Sequence, residues 1–155
     1  MSAKFDVDER YEEFVREVEP RLHDALSATL GNDAGREATA EVLAHAWENW
    51  PRVSQMANPA GYLYVRGRGR GRRLLRRRRV ALMAADETRT PWVEPGLPHA
   101  LSTLPAQQRV VVMLLHCYEW TMTEVAEFLE VSKSTVQTHA ERGMAQLRSQ
   151  MGVSV

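Results

Sequence analysis

The stretch from Val80 to Pro98 sets the limits on how this chain can fold. It carries Pro91, Pro95, Gly96 and Pro98 among the acidic Asp86, Glu87 and Glu94. Proline lacks the amide donor a helix needs, and its ring collides with the preceding turn, so no long helix can cross the segment. The expected reading is a flexible, solvated linker over 80–98. It divides the 155 residues into two parts, 1–79 and 99–155, each of which must bury its own apolar face.

Both parts show helical periodicity and no alternating strand pattern, so the expected fold is all-α: two small helical domains, the second a helix-turn-helix. Phe14, Val15, Val18, Leu22, Leu26 and Leu30 predict a first helix over Tyr11–Leu30, with a kink or break at Pro20. Gly31-Asn32-Asp33 is a turn. Ala38, Val42, Leu43, Ala46, Trp47 and Trp50 predict a second helix from about Ala34 to Trp50, ended by Pro51. Trp47 and Trp50 read as core anchors. A loop over 51–59 precedes a third helix that begins near Pro59 and carries Tyr62, Leu63 and Val65 into an arginine run; Tyr62 reads as core. Beyond the linker, helices are expected from Leu101, over Gln107–Tyr118, and at about Met122–Leu129 and Lys133–Gln150.

Charge is distributed very unevenly. Residues 1–65 hold 6 basic and 12 acidic side chains, residues 66–79 hold 9 arginines and no acid, and residues 80–155 hold 5 basic and 8 acidic. A cationic block of that density trades condensed counter-ions for phosphates, which points to nucleic acid. Arg66, Arg68, Arg70, Arg72 and Arg73 alternate with Gly67, Gly69 and Gly71. Each glycine costs a helix about 1 kcal/mol relative to alanine, so this stretch is expected to fray until nucleic acid orders it.

Residues 121–150 carry helix-turn-helix chemistry. Thr121 and Glu124 match a capping box, and Ser132 can cap the following helix. Val125, Ala126 and Leu129 face Val136, Ala140, Gly143 or Met144, and Leu147, with the small residues allowing a close crossing. Glu130 stands where the turn often has glycine. Lys133, Ser134, Thr135, Gln137, Thr138, Glu141 and Arg142 project outward, a set suited to phosphates and base edges in a major groove.

Other chemistries are absent from the pattern. The single Cys117, expected as a buried thiol, has no disulfide partner, and His116-Cys117 lacks a second ligand pair for a metal. The five histidines form no triad, and no nucleotide-binding glycine pattern appears. No active site, cofactor, metal or small-molecule substrate is therefore expected. No apolar run reaches the roughly 18 residues a membrane span needs, and the acidic start does not read as a secretory signal. A cytoplasmic protein with no membrane partner is expected.

From Tyr11 to Leu147 the chain resembles the extracytoplasmic-function subgroup of bacterial sigma-70-type RNA polymerase sigma factors. The stretches that carry the resemblance are Leu101-Ser-Thr-Leu-Pro-Ala-Gln-Gln-Arg109, Thr123-Glu-Val-Ala126 and Val131-Ser-Lys-Ser-Thr-Val136. Ala44-His-Ala-Trp-Glu-Asn-Trp-Pro-Arg-Val53 and Tyr62-Leu63-Tyr64 add the N-terminal part. The resemblance implies a sigma factor that binds core RNA polymerase and directs promoter recognition and transcription initiation. Its second helix would meet the beta-prime coiled coil through Arg36, Glu37, Glu41, Val42, His45 and Glu48. Arg52, Ser54, Gln55, Asn58, Tyr64, Arg66, Arg68, Arg70, Arg72 and Arg73 would meet the minus-ten element. Ser132, Lys133, Ser134, Thr135, Gln137, Thr138 and Arg142 would read the minus-thirty-five element, with the same domain touching the beta flap. The linker would reach towards the RNA exit path, and an anti-sigma factor is a further implied partner; Trp92, which has no helical partners in sequence, is expected to dock on a domain or on a polymerase surface. Two other readings stand beside it: a stand-alone helix-turn-helix regulator binding operator DNA, for which little sequence remains to make a dimer, and an Arg-Gly RNA-binding adaptor, which would not need Thr121–Leu147.

Overall fold

The computed structural model describes residues 2–82 and 96–152, with side chains described for 3–4, 6–73 and 96–152. All regular structure among them is helical: α1 (Ser2–Leu30), α2 (Asn32–Glu48), α3 (Trp50–Val53), α4 (Pro59–Leu82), α5 (Leu97–Thr103), α6 (Ala106–His116), α7 (Met122–Leu129) and α8 (Lys133–Gln150). The contacts divide the chain into two units, 1–77 and 78–155. α4 runs past the expected start of the linker at Val80, and α5 begins before its expected end at Pro98. Pro98 lies in the first turn of α5, where its fixed φ suits the helix and its missing N–H would have no helical partner. Trp92 and the acidic middle of the linker lie outside the described residues.

In the N-terminal unit, α1 is longer than the periodicity suggests and unbroken at Pro20. Pro20 and Arg16 both face solvent, so water can take the carbonyl that proline leaves without a donor. Leu22, Leu26, Val42, Val53 and Leu63 are fully buried and join α1, α2, α3 and α4. α1 and α2 cross closely at Gly35, where an added Cβ would lie 2.6 Å from the Cα, N and Oγ of Ser27.

α2 stops at Glu48, and Trp50 opens the separate short α3, with Pro51 in its first turn. Part of the expected loop 51–59 is therefore helical. Trp50 is buried, but Trp47 is 45% exposed and rests on Tyr11, ring centroids 4.9 Å apart. It borders the core rather than anchoring it.

α4 is a continuous helix through all three glycines, which corrects the expectation of a segment frayed until bound. Gly67 and Gly71 are buried. A Cβ on Gly67 would lie 3.1 Å from Leu26 and Val42, and one on Gly71 would lie 2.2 Å from Leu30 Cδ1. Their bare backbone lets α4 sit against α1 and α2, and that packing offsets the cost of glycine in a helix. It also removes the extended Arg-Gly segment on which an RNA adaptor reading depends.

In the C-terminal unit, Ala100, Leu104, Val112 and Leu147 are buried together. Gly143 admits α6 against α8, since a Cβ there would lie 2.6 Å from Val112 Cγ2. α7 buries Val125, Ala126 and Phe128, with Leu129 only half-buried. Phe128 meets the buried Trp120 edge-on, centroids 5.2 Å apart. Cys117 is exposed rather than buried, because it lies just past the last turn of α6, beyond the packed face.

Candidate nucleic-acid interface

α8 projects its polar side from a well-capped start. Ser132 Oγ accepts from the Thr135 amide at 3.1 Å, and Thr121 Oγ1 accepts from the Glu124 amide at 3.1 Å to start α7. Both caps fall where the sequence places them. Between the helices Glu130 adopts a left-handed conformation, φ 58 and ψ 45. This is the conformation a turn glycine supplies without strain, so the helix-turn-helix bend forms despite the substitution. Val136, Ala140, Gly143 and Leu147 face inward, as the spacing predicts.

The outward face of α8 exposes Lys133, Ser134, Gln137, Thr138, Glu141 and Arg142, while Thr135 is half-buried. Several of these groups are engaged with each other. Ser132 Oγ lies 3.0 Å from Ser134 Oγ and 2.8 Å from Thr135 Oγ1. Thr138 Oγ1 donates to the Ser134 carbonyl at 2.9 Å, and Gln137 Nε2 donates to Glu141 Oε1 at 3.0 Å.

The arginines of α4 flank its buried Gly67 and Gly71, with Gly69 among them on the exposed side. Arg70, Arg72 and Arg73 are exposed, and Arg66 and Arg68 half-buried. Arg68 sits 5.5 Å from the Tyr64 ring centre, and Arg70 pairs with Glu41 of α2 at 2.8 Å. Such a half-exposed pair holds weakly and can yield its guanidinium to a phosphate. Arg52, Ser54 and Gln55 are exposed before the helix. Asn58 instead caps α4: its Oδ1 accepts from the Gly61 amide at 3.0 Å. Asn before Pro59 carries that signal in the sequence.

Two expected contact residues leave the surface altogether. Tyr64 is 3% exposed and bonds Thr29 Oγ1 through its hydroxyl at 2.8 Å. Val42 is 1% exposed, packed where Gly67 approaches. Helix spacing puts Val42 on the apolar side of α2, in agreement with this burial, and only the resemblance places it on a partner surface; Tyr64, at the border of the cationic run, is not fixed by spacing. On α2, Arg36, Glu37 and Glu48 are exposed and Glu41 half-exposed. His45 is turned to α4, where its Nε2 and Tyr62 Oη share a 3.0 Å hydrogen bond. Tyr62 is thereby half-buried rather than core. Burial, and then the nearby Arg66, Arg52 and Arg70, hold His45 below the usual histidine range against an opposing Glu48. Among the described residues no group of His, Cys, Asp and Glu could hold a metal, and no helix is long and apolar enough to cross a membrane.

Residues 96–147 match the family described as sigma-70, region 4, over the segment that builds α5 to α8. Over those residues the C-terminal unit is similar to sigma-70 region 4. The chain as a whole shares its fold with the sigma factor RpoE of Bartonella quintana, solved in complex with the anti-sigma factor NepR. That likeness has a TM-score of 0.61 at 18% identity and covers 94% of this chain and 99% of the other. A comparison with curated proteins gave no match. The region 4 match supports the sigma factor resemblance read from the sequence, and the structural likeness shows the shared helical fold.

Proposed function

We propose that this protein is a sigma factor of the extracytoplasmic-function kind: it binds core RNA polymerase in the cytoplasm and directs it to promoters. The observation that carries the reading is the region 4 helix-turn-helix, whose capped α8 leaves its polar face open. Lys133, Ser134, Gln137, Thr138 and Arg142 are the groups that would meet the minus-thirty-five element, with Ser132 and Thr135 shaping the start of the helix. Arg66, Arg68, Arg70, Arg72 and Arg73 would hold minus-ten phosphates, with Arg52, Ser54 and Gln55 beside them. The open strip of α2, Arg36, Glu37, Glu41 and Glu48, is the surface offered to the polymerase coiled coil. RNA synthesis belongs to the polymerase, and an anti-sigma protein is a further expected partner.

In vitro transcription with sigma-free core polymerase and genomic promoter fragments tests the reading. Specific transcripts that require the chain are expected. Operator binding without any specific transcript would establish a stand-alone regulator instead. Neutralising two of the α4 arginines should weaken binding on every sequence and reduce its salt slope by about 2.

A further inference from the structure

The exposed middle turn of α8 has spent most of its hydrogen-bond donors on itself. Glu141 Oε1 accepts from the Gln137 amide nitrogen at 3.0 Å, as a carboxylate oxygen facing an amide requires. That orientation turns Gln137 Oε1 away as a free acceptor. In the adjacent row the Thr138 hydroxyl gives its proton to the Ser134 carbonyl, leaving Thr138 Oγ1 as an acceptor too. With the second oxygen of Glu141, three acceptors face outward against one remaining donor, the other Nε2 hydrogen of Gln137. The cations Lys133 and Arg142 stand on either side of this patch along the helix.

Base edges in a major groove differ in the same terms. Guanine offers O6 and N7, both acceptors, whereas cytosine offers N4–H2 and adenine offers N6–H2 beside N7. A carboxylate placed against guanine leaves like partial charges facing with no hydrogen between them. Against cytosine or adenine it accepts. We propose that Glu141, by holding Gln137 and presenting its own free oxygen, makes the middle of α8 select a base that presents an exocyclic amine in the major groove, adenine or cytosine, and reject guanine, whose amine lies in the minor groove, at that position. Glu141 is a specificity-determining residue, and Gln137 reads the base in the orientation Glu141 imposes. This rests on α8 being the groove-reading helix of the proposed sigma factor.

The test is selection from a randomised duplex library by polymerase reconstituted with the full chain, followed by affinity measurement on the selected duplex and its single-base variants. Wild type should enrich adenine or cytosine at one position and bind the guanine variant at least about tenfold more weakly. Glu141→Ala should erase most of that tenfold at this position alone, because the freed Gln137 can turn both amide hydrogens to guanine. Glu141→Gln, which keeps the size and adds a donor, should do the same. Selected sequences unchanged by both variants, or wild-type enrichment of guanine opposite Gln137, overturn the inference while leaving the sigma factor reading intact. Failure of wild type to enrich any sequence overturns both. Glu141 and Gln137 are exposed, so the substitutions disturb no core.

Discussion

Gly69 and Gly71 of α4 should respond differently to alanine. Gly69 has nothing within 4 Å of an added Cβ and lies on the exposed side of the helix. Alanine there brings only the gain in helix propensity, about 1 kcal/mol. In a unit the size of residues 1–77 that corresponds to a rise in Tm of about 4–8 °C. At Gly71 the same gain meets a collision: the Cβ would lie 2.2 Å from Leu30 Cδ1, 2.9 Å from Cδ2 and 3.1 Å from Cγ. Leu30 is 8% exposed, so its whole head must be displaced within packed surroundings. Overpacking of this kind costs about 1–3 kcal/mol, which cancels or exceeds the gain. Gly71→Ala should therefore melt below Gly69→Ala by at least about 4 °C. Thermal unfolding of the full chain, followed by tryptophan emission and by amide exchange along α4, reads both the global and the local effect. A Gly69→Ala variant no more stable than wild type would mean that α4 is not helical at that point in the free chain. A Gly71→Ala variant raised as far as Gly69→Ala would mean that Leu30 does not pack there.

Three further outcomes follow from the same structure. Gly35→Ala places a Cβ 2.6 Å from the backbone of Ser27, which cannot rotate aside, so it should cost about 3 kcal/mol or more; a denaturant midpoint near that of wild type would refute the close α1–α2 crossing. Glu130→Gly relieves a left-handed residue at φ 58 and should stabilise the C-terminal unit by about 0.5–1 kcal/mol after the added freedom of the unfolded chain is counted; a loss of stability in urea unfolding would contradict this. His45 is held below its ordinary 6.5 chiefly by burial and then by Arg66, Arg52 and Arg70. The unfolded chain therefore binds more protons just below that pH, and the contribution of the neutral ring is complete above 6.5 and is lost as the pH falls. His45→Gln should flatten that decline between ~pH 7 and ~pH 5, and parallel stability curves for variant and wild type would argue against it.

What the sequence made legible was local chemistry. Thr121 and Ser132 are readable as caps because a cap needs only a hydroxyl and an amide a few residues apart. Val136, Ala140, Gly143 and Leu147 are readable because one face of one helix repeats at fixed spacing. The misreadings arose where the answer depends on a neighbour distant in sequence. Tyr64 was placed on a DNA-facing surface although Thr29 bonds its hydroxyl, and the resemblance placed Val42 on the polymerase surface although its own spacing puts it on the apolar side, where Leu26 and Gly67 meet it. Trp47 was placed in the core, yet it stops at Tyr11 on the rim. Cys117 follows the burial habit of its residue type only when a packed element continues past it, and α6 ends there.

The Arg-Gly alternation shows how local and distant effects combine. Read by propensity, three glycines among arginines weaken a helix. Read by helix geometry, Gly67 and Gly71 are four apart and share a face with Leu63, whereas Gly69 falls on the other side. That division is visible in the letters alone, but its meaning depends on whether another helix comes close enough to need the missing Cβ. Leu26, Leu30 and Val42 do so here. The packing that shortens the distance between α4 and its neighbours also fixes which way the arginines face. The glycines therefore bear on DNA binding without touching DNA: they hold Arg70 and Arg73 outward, with Arg66 half-buried on the same side, so that the backbone order a flexible cationic tail would have to acquire on binding is already present in the free chain.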